Sequence, residues 1–240
     1  MELKDRERLR ELAARQLEVA NSAKNLERVE LWKRHNMCKG ERPVIHIEVD
    51  TFAHEAINPQ LVCQDSWARW IEYRLLHNMI NLETFDDDMV VAPFFKMGYH
   101  SWFSLFGHNI KQSVVKKEDG TEMGHTFEHI IDDLADDFDK ITSPSIYGVS
   151  KENTMAEFER LSDVFGDILP VKIASDCLYA VPTQKVVHMM GMENMLYAMY
   201  DYPDEFKEMM QRIANDYVSY FKHLEQEGVL LQNHGFESVG

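Results

Sequence analysis

Apolar residues recur at steps of three to five through a charged background over residues 3–35: Leu9, Leu12, Leu17 and Ala20, then Leu26, Val29 and Trp32. No Pro or Gly interrupts them, so the spacing predicts one or two amphipathic helices. Gly40 and Pro43 end the region. The alternation that follows predicts a strand over 42–49, with Val44, His46 and Glu48 on one face and Ile45, Ile47 and Val49 on the other. After a turn at Asn58-Pro59, Asp65 or Ser66 is placed to cap a helix carrying Trp67, Trp70, Ile71, Leu75 and Met79 to about Phe85. The apolar run MVVAPFF (89–95) predicts a buried strand. Short polar and apolar runs around Asp119-Gly120 predict a β-hairpin at about 110–130.

Downstream, Ile131, Leu134, Phe138 and Ile141 keep helical spacing through IIDDLADDFDKI. Its aspartates are therefore expected on a solvated face, and the run lacks the alternating ligands of a calcium loop. A helix over 153–165 leads through Gly166 into a third strand, LPVKIAS (169–175). Helices over 183–200 and 203–227, the second opened by Pro203, precede a fourth, VLLQNHG (229–235). Helix–strand alternation of this kind predicts parallel pairing through right-handed crossovers. The methionines Met189, Met190, Met192, Met195 and Met199 are spaced for core filling.

Composition narrows the functional classes. Lys plus Arg number 25 against 41 Asp plus Glu, a net charge of −16, which opposes both phosphate backbones and anionic membranes. No nucleic-acid partner and no membrane association are expected. No apolar stretch reaches the roughly 20 residues of a membrane helix, and the charged N-terminal sequence differs from a signal peptide, so a cytoplasmic location is expected. The cysteines, Cys38, Cys63 and Cys177, are three and widely separated, which excludes a disulfide scaffold but not a reactive or metal-binding thiol.

Residues 166–175 (GDILPVKIAS) and 200–233 (YDYPDEFKEMMQRIANDYVSYFKHLEQEGVLLQN), together with RPVIHIEV (42–49), give an order of strand, gap, two helices and strand. In that order and wording, residues 42–240 resemble the uroporphyrinogen decarboxylase superfamily, which includes cobalamin-dependent methyltransferases. The resemblance implies an α/β fold, a (β/α)8 TIM barrel of which about the first half is present. Residues 1–40 would form a helical extension, and residues 41–240 the N-terminal part of the barrel with the hairpin as an insertion. Four strands would leave two open apolar edges, so the chain is expected to be the N-terminal portion of a longer protein or a half-barrel that associates. The N-terminal helices permit a homo-oligomer.

Active sites of such barrels lie at the carboxyl ends of the strands. After the first strand come Glu48, Asp50 and His54, and His46 shares a face with Glu48 in a pairing suited to a divalent metal or proton transfer. After the second, Phe95 and Tyr99 belong to an aromatic-rich loop suited to a flat cofactor, or equally to a hydrophobic plug. After the third come Asp176, Cys177 and Tyr179, where a thiol beside a carboxylate is apt for zinc or acid–base work. After the fourth comes His234. Asp86, Asp87 and Asp88 precede the second strand and are expected to face solvent or end a helix.

The decarboxylase branch carries arginines after its first strand and an Asp after its second. Here DTFAHEAINP (50–59) holds no arginine, and the Asp position falls near Phe94. The resemblance therefore favours the methyltransferase branch, in which a methyl group moves between a corrinoid on a partner protein and a small acceptor or donor, with zinc activating a thiol. Glu48, His54, Asp176 and His234 are the expected catalytic residues. Phe95, Tyr99 and Tyr179 are the expected cofactor contacts, and His46 and Cys177 the candidate metal ligands. No His-x-Cys of that branch's zinc motif occurs in the 240 residues. A porphyrinogen lyase and a non-catalytic ligand-binding barrel remain as alternatives.

Overall fold

A computed structural model describes residues 1–116, 122–174, 180–232 and 235–236. Along the chain run α1 (Leu3–Ala20), α2 (Ala23–Asn36), α3 (Ala53–Ala56), α4 (Ser66–Ile80), β1 (Phe95–Met97), β2 (His100–Ser104), β3 (Gln112–Lys116), β4 (Glu122–Phe127), β5 (Ile146–Ser150), α5 (Lys151–Phe165), β6 (Val171–Ile173), α6 (Pro182–Asp201) and α7 (Pro203–Gln226). The fold is α/β, and the described strands form three two-stranded sheets with no closed barrel among them. Two compact units divide the chain: Met1–Tyr99, Lys151–Cys177 and Leu231–Gly240 in the first, His100–Ser150 and Leu178–Leu230 in the second.

In the first unit, α1 packs against α4 and α5. Its Leu9, Leu12, Ala13 and Ala20 are buried in one cluster with Ile71, Leu75 and Met79 of α4 and Leu161 and Phe165 of α5. The 3.6-residue period has put one apolar stripe of each helix into a common core. Ion pairs close the rim: Arg6 reaches Asp163 at 2.7 Å, and Arg10 grips Asp167 with two bonds of 2.7 Å.

Two buried carboxylates organise the start of α4. Glu72, fully buried, accepts hydrogen bonds from the Val62 and Cys63 amides at 2.9 Å and from Arg8 Nε at 2.9 Å. Asp5 accepts from the next two amides, Gln64 at 3.1 Å and Asp65 at 2.9 Å. Asp65, so held, caps α4 by accepting from the Ala68 amide, satisfying one of the orphan donors of the first turn.

The parallel pair β1–β6 has the register Phe95↔Val171, Lys96↔Lys172 and Met97↔Ile173; β6 lies within the strand expected over 169–175, whereas β1 overlaps the strand expected over 89–95 only at Phe95 and runs on to Met97. Residues 44–49 carry no ladder, which corrects the strand expected there. The reason is visible in their hydrogen bonds. The Ile45 amide donates to Asp88 Oδ2 and the Ile47 amide to Asp87 Oδ2, while Asn81 donates to the Ile47 carbonyl. Residues 91–94 are likewise held by side chains. Asn25 bonds both the amide and the carbonyl of Val91, and Gln16 donates to the Ala92 and Phe94 carbonyls at 3.0 Å. Extended backbone here meets its donors and acceptors on individual side chains of α1, α2 and the 81–88 segment, and on the Asp88 amide, which donates to the Ile45 carbonyl, instead of on a strand ladder. Of the aspartates expected to face solvent or end a helix, Asp86 does both, exposed after the helical turn 81–85 and paired with Lys24 and Arg28; Asp87 is instead buried, and Asp88 is half-buried and takes two bonds from Arg42. Residues 229–232 of the expected fourth strand carry no ladder either.

In the second unit, β2 and β5 pair antiparallel and β3 and β4 form the hairpin, whose Asp119-Gly120 turn lies outside the described residues. Met209, Ile213 and Tyr217 of α7 are buried, and Phe103 stacks on Tyr217 at 4.6 Å. The acidic stretch is turns and a short 3-10 helix rather than an α-helix, because Asp133 accepts from the Ala135 and Asp136 amides and Asp137 from the Asp132 amide, local bonds that compete with a helical ladder. α6 breaks at Gly191, whose φ is 79°, a value that glycine alone adopts without cost. The carbonyl of Met189 accepts from the Ile130 and Ile131 amides instead. Met189 and Met190 before the break are buried as expected, whereas Met192 and Met199 after it are exposed.

Replacing Glu72 with Ala leaves the buried Cys63 amide and the part-buried Val62 amide without their acceptor and removes one partner of Arg8, and is expected to cost about 2–4 kcal/mol in urea unfolding; a loss under about 1 kcal/mol would show that water replaces the carboxylate. Burial, reinforced by the Glu72 and Asp5 charges, pushes the Cys63 thiol up to about 12. Folding thus favours the protonated thiol, a contribution complete below the ordinary value of 9.0 and lost as pH rises towards about 12. Iodoacetamide at neutral pH is expected to spare Cys63 in the folded protein while labelling the exposed Cys38.

Candidate functional site

The segment after residue 49 and one face of α4 bring together the residues with acid–base chemistry. A 3-10 turn, Asp50–Phe52, puts Asp50 against α4. Asp50 Oδ1 lies 3.3 Å from His77 Nε2 and accepts from the Tyr73 hydroxyl at 3.4 Å. Trp70 stacks on Tyr73 with centroids 5.6 Å apart and planes 6° from parallel, and Tyr73 meets His77 at 5.9 Å. Spacings of three and four residues place all three rings on one side of the helix, opposite the buried Ile71, Leu75 and Met79.

The environment differs among the three. Trp70, expected among the buried positions, is 57% exposed, leaving ring surface for a ligand. Burial first, then the charge and hydrogen bond of Asp50, push the Tyr73 phenol above its ordinary range. His77 is half-buried with a carboxylate on one ring nitrogen, an arrangement that orients the imidazole.

Of the residues expected from sequence, His46, Glu48 and His54 are exposed on the segment leading into and out of Asp50, and His54 Nε2 lies 3.4 Å from Glu55. Tyr99 is half-buried, two residues beyond the carboxyl end of β1. Phe95 is corrected to a core residue: it is fully buried, edge-on to Phe165 at 5.4 Å with Arg74 over its ring at 4.6 Å, and offers no open face to a cofactor. Asp176, Cys177, Tyr179 and His234 lie outside the described residues. Among the described residues, Glu48, His54 and Tyr99 make no hydrogen bond or ion pair with one another. Tyr73 and His77 were missed from the sequence, although with Trp70 their spacing marks a second stripe on the helix already recognised.

Among the described residues no three His, Cys, Asp or Glu side chains are grouped closely enough to hold a metal ion, and Cys177 lies outside them. No helix among them is long and apolar enough to cross a membrane. No family model matches the chain, and neither a curated protein nor a solved structure is significantly similar to it.

Asp50→Asn removes the charge and is expected to lower the Tyr73 phenol towards its ordinary value, followed by NMR titration of the labelled ring. An unmoved titration would show that burial alone sets it.

Proposed function

We propose that the chain is part of a cytoplasmic (β/α)8-barrel methyltransferase of the uroporphyrinogen decarboxylase type, moving a methyl group between a partner protein's corrinoid and a small acceptor or donor. The observation that carries this reading is the parallel pairing of β1 with β6, with α5 immediately preceding β6 in the chain. Ligands of parallel α/β folds bind beyond the carboxyl ends of the strands. In sequence, Tyr99 follows one of these ends, and Asp176, Cys177 and Tyr179 follow the other.

The corrinoid protein is a substrate here. In the direction of acceptor methylation, an acceptor X–H gives its proton to a side-chain base, its lone pair forms the new X–CH3 bond, and the cobalt–carbon electron pair remains with the metal. Glu48, His54, Asp176 and His234 are the proposed lining of that site. The Asp50–His77 pair is a described arrangement suited to accept a proton, because the carboxylate holds the imidazole in one orientation.

The test is demethylation of methylcobalamin by the purified protein with a panel of small thiols and amines, followed by absorbance. The expected result is a rate above the protein-free control that falls by about tenfold or more in His77→Ala and also falls in Glu48→Ala. A rate equal to the control with every acceptor would overturn the reading.

A further inference from the structure

The second unit contains a cavity of about 400 Å³, within the roughly 300–1,000 Å³ of small-molecule sites. It sits between the base of the hairpin, where Gln112 pairs with Phe127, the segment that follows β2, and the first half of α6. Phe103, Leu105, Ile110, Phe127 and Met189 supply apolar surface. Phe127 lies flat on the ring of His188, with centroids 3.8 Å apart and planes 16° from parallel, so one wall is already a stacked aromatic platform.

Ser104, His108, Asn109, Gln112, Lys185 and His188 supply the polar part of the lining. Lys185 lines the cavity one helical turn before His188. Among the described residues no carboxylate lies within ion-pair distance of it, and the cavity lining holds no Asp or Glu. In a chain of net charge −16, a half-buried lysine on a cavity lined by no acid leaves a local positive site for an anion. Burial, and then the Lys185 charge, lower the His188 imidazole below its ordinary range, keeping that ring neutral beside the lysine. His108 Nε2 faces the Lys140 carbonyl at 2.5 Å, which fixes the tautomer of another lining imidazole.

We propose that this cavity is a binding site for a small aromatic monoanion, its ring against the Phe127–His188 platform and its carboxylate on Lys185. The site is built entirely within the second unit and does not depend on the methyl-transfer reading. A single cation matches a single negative charge. The flat Phe127–His188 pair matches a ring system better than a flexible chain, whose rotors would lose more freedom on binding.

Calorimetric titration of the full chain with 2-naphthoate, and with neutral 2-naphthamide of the same shape, tests this. The expected result is saturable one-to-one binding of the acid, with the amide and the Lys185→Met variant each weaker by about tenfold or more. Lys185→Arg is expected to retain binding. Lys207→Met, which makes the same change in net charge at an exposed position, is expected to leave it unaltered. Equal affinity for acid and amide, undiminished binding by Lys185→Met, an equal loss in Lys207→Met, or no saturable binding of the acid would each overturn the proposal.

Discussion

Asp5 and Glu72 together accept from four consecutive amides, 62 to 65, in the interior of the first unit. Removing two carboxylates from water is expensive, and only dense hydrogen bonding offsets it. The amides and Arg8 supply that bonding. In return, the carboxylates join α1, the 62–65 segment and α4 into one network, and they bring Asp65 to the position where it caps α4. The angular setting of α4 follows. With Leu75 and Met79 turned into the core, Trp70, Tyr73 and His77 come out on the opposite side towards Asp50. The acid–base cluster thus depends on two acids that never meet a substrate.

A second device extends the same economy. Gln16, Asn25, Asn81, Asp87 and Asp88 bond the backbone of extended segments that have no strand beside them. A side-chain amide presents both a donor and an acceptor, so one Asn can satisfy both polar groups of a residue, as Asn25 does for Val91. Such bonding is specific to position where a ladder would be repetitive. Residues 44–49 are consequently fixed at individual backbone groups, which leaves His46 and Glu48 on an exposed but tethered segment.

Much of the local structure was legible. Asp65 as a cap, proline at the start of α7, the hairpin, and the amphipathic stripe of α1 all express interactions among residues close in sequence. What periodicity does not specify is the partner. Alternation in 44–49 correctly indicates extended backbone but is silent on whether a strand or an aspartate will bond it. Spacing likewise puts Trp70 near the apolar stripe of α4 without showing that the stripe ends one position short of it. Asp50 was legible as a polar residue following an extended segment. Its partners, 23 and 27 residues further along, are brought to it by the setting of α4, which rests on bonds between α1 and the 62–65 segment that no local pattern announces.

The break at Gly191 bears on how the second unit acquires its structure. It divides α6 into two stretches of roughly ten residues each, below the roughly 12–15 at which an isolated helix holds together in water. Neither stretch can serve as an early local nucleus. The amides of Ile130 and Ile131 must reach the Met189 carbonyl across some sixty residues of chain before the break is satisfied, so helix and loop have to be acquired in the same step. By its chain connectivity α6 is a local element, but in its folding order it belongs with the long-range contacts, and its formation should be as slow as theirs.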